Sequence, residues 1–273
     1  MRTVFGSWKY LFKNILFLWP FALIPAVFFS LTLDYQCIHA VSSGFFSGAP
    51  QAEFLQYFHA WSFFRFDSGT GALMSILTVV VTVPAFALLL CFVEKHMRLG
   101  KRTLSGLWYQ TKNLLPSATA YAFIMIVVYE LWAVVLSSLL FALAGLNSTP
   151  AIYVLTLLAI PVFGFVLLYL MTVLYLWLPC RQMTGFRFFE ALLYSYRLMV
   201  GVRAKLLFSF ALSALTGLVL LSTCALLPDV VFHIIAIVLC FFLFLHFGVN
   251  MEALYFETDK LDREDILRHK WEY

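Results

Sequence analysis

The apolar stretch GALMSILTVVVTVPAFALLLCFV, residues 71–93, contains no charged side chain over 23 residues. A helix of ~20 residues spans the ~30 Å hydrocarbon layer of a bilayer. The stretch is followed by EKHMRLGKR, residues 94–102, in which four of the nine side chains are lysine or arginine. An uncharged run of this length that ends in a basic cluster is typical of a membrane-spanning helix.

Five further apolar runs predict the same kind of helix, at residues 15–33, 116–144, 151–178, 206–227 and 230–249. The composition agrees, because 63% of the residues are hydrophobic and 12% are charged, whereas about 25% are charged in a typical soluble domain. We therefore predict an all-α, polytopic bundle of six transmembrane helices, with one transmembrane domain at residues 1–256 and a charged tail at 257–273.

The basic residues predict how this bundle lies in the membrane. Lysine and arginine remain preferentially on the cytoplasmic side during insertion. Of the 18 basic residues, 17 lie in the N-terminal segment, the second and fourth connections and the tail, and Arg65 is the exception. This alternation predicts three hairpins that close on the outer face, with both termini in the cytoplasm. It also argues against a nucleic-acid partner, since the charges do not form one basic face.

Two connections are predicted to contain amphipathic helices. Between residues 185 and 200, apolar and charged side chains alternate with the helical period, which indicates a helix lying on the inner leaflet. The alternative is a straight extension of the fifth span. In the long outer connection, residues 34–70, Phe54, Phe58 and Trp61 have helical spacing. That helix is expected either to anchor in the outer leaflet or to cap a cavity.

The segment FEALLYSYRLMVGVRAK, residues 189–205, resembles a segment of uncharacterised six-span bacterial integral membrane families. These families include relatives of the membrane domain attached to some glycerophosphoryl diester phosphodiesterases. The resemblance implies a bacterial plasma (inner) membrane and a bundle with interfacial helices. No soluble phosphodiesterase segment occurs in the 273 residues, so the resemblance does not extend to that activity.

Glu130 is the acidic residue expected well inside an apolar span, because the chain turns hydrophilic only from Glu252 onward. A carboxylate in hydrocarbon costs a few kcal/mol and should face the bundle interior or bind a partner. One interpretation is a proton or cation site. The other is a protonated structural carboxyl group hydrogen-bonded within the bundle, or one placed near the outer headgroups.

Helix-breaking residues interrupt three of the spans. Pro20 and Pro25 lie in the first span, Pro84 in the second, and Pro161 with Gly164 in the fourth. Proline removes a backbone donor and promotes a kink. Such breaks line substrate cavities in transporters, but in many other bundles they only shape packing.

Motifs for chemistry are missing from the sequence. It contains no GxSxG turn and no GxxxxGK[ST] loop, and it predicts no catalytic residue, metal ligand or cofactor. We predict contacts to anionic lipid headgroups for six basic residues: Lys101, Arg102, Arg187, Arg197, Arg203 and Lys205.

Three functions remain open from these residues. The first is a small-molecule or lipid-handling transporter component or an envelope accessory protein. The second is a non-transporting scaffold or regulatory subunit that binds a membrane or cytoplasmic protein through its charged tail. The third, an intramembrane enzyme, is disfavoured because its motifs are missing.

Overall fold

The computed structural model describes residues 2–47, 53–66, 68–146 and 148–267. Within these ranges the chain is helical and contains no strand. The helices are α1 (Arg2–Thr32), α2 (Tyr35–Ser47), α3 (Phe54–Trp61), α4 (Gly69–Leu99), α5 (Leu107–Ala144), α6 (Thr149–Leu174), α7 (Trp177–Thr184), α8 (Phe188–Met199), α9 (Arg203–Cys224), α10 (Asp229–Thr258) and α11 (Glu264–Leu267).

Six helical segments of the described chain are long and apolar enough to cross a membrane, which confirms the predicted number of spans. They are α1, α4, α5, α6 together with α7, α9 and α10. Several begin or end beyond the predicted limits: α4 ends at Leu99 and α10 at Thr258. The hydropathy pattern marks only the part of a helix that lies in hydrocarbon, whereas intrahelical hydrogen bonds continue into the interface.

Glycine ends two helices at the same side of the bundle. Gly100 after α4 and Gly185 after α7 adopt left-handed backbone conformations, with φ of 62° and 69°. Each donates its N–H to the carbonyl four residues earlier, at 2.9 Å and 3.1 Å. Left-handed glycine is a common stop for a helix, so the chain turns at these points rather than continuing straight.

The spans are arranged as three hairpins that form a ring. Contacts connect them in the order α1, α4, α5, α6, α9 and α10, and α10 returns to α1. Helix α10 also packs against α4, which has half of its most apolar segment buried. The start of α1, the end of α10, α7 and α8 lie at one end of the ring, which we call the inner end; the opposite end is the outer end.

Helices α4 and α10 approach each other closely at one glycine. At Gly248 of α10, a Cβ atom would lie 2.7 Å from Leu89 Cδ2 and 3.3 Å from Phe86 Cε2. Leu89 is fully buried. Only a residue without a side chain therefore permits this approach of the two helices.

Helix α8 is separate from α9, as predicted for residues 185–200. The chain turns at residues 200–202. Phe189, Leu193 and Val200 are exposed, whereas Ala191 and Ser195 face the bundle. An exposed apolar face beside the ends of the spans is suited to the interface between headgroups and hydrocarbon.

Candidate functional site

The carboxylate of Glu130 holds the turn that follows α3. Its Oε1 accepts hydrogen bonds from the backbone N–H groups of Phe63 at 2.8 Å and Phe64 at 3.1 Å. Its Oε2 accepts one from the hydroxyl of Ser62 at 2.9 Å. These contacts give both oxygens of the carboxyl group a donor within the protein. A proton or cation function at this residue stays a prediction.

A groove with a volume of about 380 Å³ lies beside Glu130, between α4 and α5. Its lining is almost wholly apolar: Phe64, Val79, Val83, Thr119, Phe123, Ile126, Val127, Glu130 and Leu131. Ligand sites of about 300–1,000 Å³ commonly combine such a lining with a few polar groups. Glu130 and Thr119 border the groove eleven residues apart on α5, or ~16 Å along a helix. Their polar atoms bond elsewhere, because Glu130 accepts from the turn after α3 and the Thr119 hydroxyl donates to the carbonyl of Leu115 at 2.9 Å.

The outer connection packs on the bundle through its two helices, α2 and α3. Tyr57 and Trp61 of α3 pack in a cluster with Trp132, Leu136 and Leu140 of α5. The rings of Trp61 and Trp132 lie 5.9 Å apart at right angles. The predicted helix in this connection is therefore present, and protein rather than lipid covers one of its faces.

Polar contacts attach the same connection to the other hairpins. Tyr35 donates its hydroxyl to the carbonyl of Leu227 at 2.7 Å. His39 Nδ1 lies 2.7 Å from the carbonyl of Ala225. Tyr153 of α6 donates to the carbonyl of Phe45 at 2.9 Å. The outer connection thus contacts all three hairpins.

A second polar cluster is buried at the inner end. Ser7 of α1 donates to Asn250 Oδ1 of α10 at 3.0 Å, and Asn250 Nδ2 donates to the Tyr175 hydroxyl at 3.2 Å. That hydroxyl donates to the carbonyl of Phe247 at 2.7 Å. The sequence did not point to this cluster, because serine, asparagine and tyrosine carry no charge pattern.

Two carboxyl groups at the inner end are also buried, which the sequence failed to predict. Glu94 of α4 is 4% exposed and Glu252 of α10 is 0% exposed. The expectation that the chain turns hydrophilic from Glu252 was wrong, because Met251, Ala253 and Leu254 around it are buried as well. These apolar neighbours could have indicated from the sequence that Glu252 is buried. A carboxylate, however, is ordinarily taken to mark the end of a span.

Helix α8 is tied to the end of α10 through Asp259. The hydroxyl of Tyr194 donates to Asp259 Oδ1 at 2.5 Å, and Tyr255 donates to Oδ2 at 3.0 Å. The hydrogen bond to Asp259 raises the pKa of Tyr194 to about 12, and burial contributes to the same shift. These contacts fix the interfacial helix to the bundle.

The six basic residues predicted to contact headgroups fall in two places at the inner end. Lys101 and Arg102 lie between α4 and α5 and are exposed, and the Arg102 guanidinium lies 4.7 Å from the Phe17 ring centre. The other four, Arg187, Arg197, Arg203 and Lys205, surround α8 and the start of α9. The guanidinium of Arg203 stacks 4.5 Å from the Tyr196 ring centre and is half-buried.

The proline positions do not interrupt the helices. Helix α1 continues through Pro20 and Pro25, α4 through Pro84 and α6 through Pro161. The groove between α4 and α5 is lined by Val83, next to Pro84, but by none of these prolines or Gly164. A cavity at these positions stays a prediction.

The arrangement defines a multi-span integral membrane protein. No group of three histidine, cysteine or acidic side chains that could hold a metal ion occurs among the described residues. The chain matches no family model, no curated protein and no solved structure. The resemblance of residues 189–205 to six-span bacterial families therefore stays a prediction.

Proposed function

We propose that this protein is a lipid-handling membrane component that binds the hydrocarbon chain of an anionic inner-leaflet lipid in the groove between α4 and α5. The observation that carries the proposal is the groove itself, which has an almost wholly apolar lining. A hydrocarbon chain bound there gains van der Waals contact with two helices rather than one, and dispersion contacts add up over its length.

The groove is open towards the lipid. Phe123 and Leu131 on its α5 side are 68% and 64% exposed. These side chains lie in a span, where the surrounding medium is hydrocarbon. A lipid chain can therefore enter sideways, without crossing a polar surface.

The inner end of α5 supplies a positive charge on the same helix face. Lys112 is exposed and lies seven residues before Thr119, or ~10 Å along a helix. Residues seven apart on a helix share a face. A phosphate at Lys112 would therefore place the lipid chain along α5 towards the groove, and a lysine near the membrane surface contributes about 1 kcal/mol to anionic lipid binding.

The groove is tested by photo-crosslinking of the purified protein in nanodiscs. The probe is a phosphatidylglycerol with a diazirine in its acyl chain, compared with the matching phosphatidylcholine. We expect labelling on α5 between Thr119 and Leu131, and loss of most of it in Val79→Trp, because that side chain fills the groove. Val80→Trp is the matched control, since Val80 is exposed on the adjacent face. Equal labelling of both variants would contradict the proposal.

The headgroup contact is tested separately. Lys112→Gln should lower phosphatidylglycerol labelling about fivefold, the effect of ~1 kcal/mol, and leave phosphatidylcholine labelling unchanged. An equal loss for both lipids would show that the charge does not select the headgroup.

We further propose that the inner end faces the cytoplasm, with both termini there, in a plasma membrane. The support is the placement of the basic residues described above at that end. In variants with their native cysteines replaced, an impermeant thiol reagent should label Lys101→Cys and Arg197→Cys from the same side and Ser148→Cys from the other. Labelling of Lys101→Cys and Arg197→Cys from opposite sides would exclude the hairpin arrangement.

A further inference from the structure

Glu252 is a carboxyl group that lacks a hydrogen-bond donor inside the bundle. It is 0% exposed. Neither of its two oxygens has a hydrogen-bond partner among the residues that the structure describes. Buried polar groups are almost always paired, and each exception calls for an explanation such as a bound ion.

The groups around Glu252 add no compensating charge. Those that interact with it electrostatically come from three neighbouring parts of the bundle: Tyr10 of α1, Cys91 and Glu94 of α4, and Tyr175 and Cys180 at α7. The charged side chain that acts on Glu252 is the Glu94 carboxylate. Two carboxyl groups, on α4 and α10, are therefore buried within range of each other's charge.

Glu94 connects this pair of carboxyl groups to the surface of the inner end. Its Oε1 lies 2.9 Å from Arg98 Nε, and the Arg98 side chain is 50% exposed while that of Glu94 is 5% exposed. Arg98, together with Lys95, can offset the charge of Glu94, but neither cation acts on Glu252. The second carboxylate would remain uncompensated, and an uncompensated ion in a protein interior costs several kcal/mol.

We propose that Glu252 and Glu94 form a proton-binding site, in which Glu252 carries the proton and Glu94 exchanges it with the inner surface. A proton requires a single carboxylate oxygen, whereas hard metal cations take about six to eight oxygen ligands. The two thiols near Glu252 are poor substitutes for such ligands. The proton is therefore the cation that these surroundings fit.

The site is independent of the lipid groove, since none of the groove residues belongs to it. Helices α4 and α10 carry its two acids and pack closely at Gly248. Loss of the proton places two like charges between these helices, so proton binding and their packing are coupled by repulsion. The structure thus assigns a proton-dependent contact to a closely packed helix pair.

Infrared spectroscopy of the full chain in nanodiscs tests the site, because a protonated carboxyl group has a carbonyl band distinct from those of carboxylates. We expect one such band at neutral pH that is lost in Glu252→Gln and shifted in Glu252→Asp. Glu257→Gln is the matched control, since Glu257 is exposed on the same helix. Circular dichroism establishes that each variant is folded.

A titration then assigns the partner. Glu94→Gln removes the like charge and should change the pH at which the band disappears, whereas Glu257→Gln should leave it unchanged. A band that persists in Glu252→Gln, or no band between about pH 5 and about pH 9, would overturn the proposal. So would a band that disappears when sodium or potassium chloride replaces choline chloride at constant pH, because the ligand would then be an alkali cation.

Discussion

Replacing Glu130 by leucine should loosen the turn after α3. Leucine has a similar size and no acceptor, so the N–H of Phe63 loses the oxygen that it contacts at 2.8 Å. The N–H of Phe64 keeps a second acceptor, the Ser62 hydroxyl at 3.1 Å. One part-buried donor is therefore left without a protein partner, at a cost of about 1–3 kcal/mol.

Hydrogen exchange at single amides measures this cost. We expect exchange at Phe63 to rise about 5-fold to about 150-fold in Glu130→Leu, the range that ~1–3 kcal/mol corresponds to. The amide of Gly100, hydrogen-bonded at the inner end, is the internal control and should not change. Nanodiscs keep the bilayer constant across the variants.

Glu130→Gln separates hydrogen bonding from charge. Glutamine keeps a carbonyl oxygen for the two amides and can donate its NH₂ to the Ser62 hydroxyl, so exchange at Phe63 should change less than about tenfold. Unchanged exchange in Glu130→Leu would refute the structural account. Equal acceleration in both variants would instead show that the negative charge holds the turn.

Gly248→Ala should destabilise the protein by about 1–3 kcal/mol and lower its Tm in detergent, because the new Cβ would overlap with Leu89. Gly217→Ala is the control with a smaller expected change, since its Cβ would meet the nearest atom at 3.8 Å; equal losses would contradict the close packing. Alkaline titration of tyrosine absorbance should lose a component near pH 12 in Tyr194→Phe, as the pKa of Tyr194 is raised to about 12. The raised pKa means that the contact with Asp259 stabilises the fold below about pH 10 and that this contribution is lost as the pH rises through about 12; an unchanged titration curve would contradict the hydrogen bond.

The six spans could be predicted from the sequence because hydrocarbon thickness imposes both a length and a lack of charge on each helix. Residues 71–93 meet both conditions, and α4 contains them all. The separate helix α8 was predictable for a similar reason, since its apolar residues follow the helical period over three turns.

The partners of Glu130 could not be predicted. Its partners Ser62, Phe63 and Phe64 lie 66–68 residues away in the chain. Two of the three donors are backbone N–H groups, which the residue type does not indicate. The groove is likewise a product of how α4 and α5 pack. Helix period identifies a face of each helix, but it does not indicate which helix covers that face.

For Glu252, a rule that usually holds led to a wrong prediction of where the span ends. Acidic residues usually end a span. Here α1, α4 and α7 surround the carboxyl group and bury it inside a continuous helix. Burial is decided by these neighbours rather than by the residues adjacent in the sequence.

The contacts of the outer connection also have a consequence for biosynthesis. Its hydrogen-bonding partners Ala225 and Leu227 lie 186 and 192 residues further along the chain, in the third hairpin. Each hairpin can enter the bilayer on its own, but Tyr35 and His39 find these carbonyls only once the third hairpin has been inserted. Docking of this segment would therefore be a late step of maturation, and a prematurely terminated chain would present its unsatisfied aromatic surface to membrane quality-control proteases.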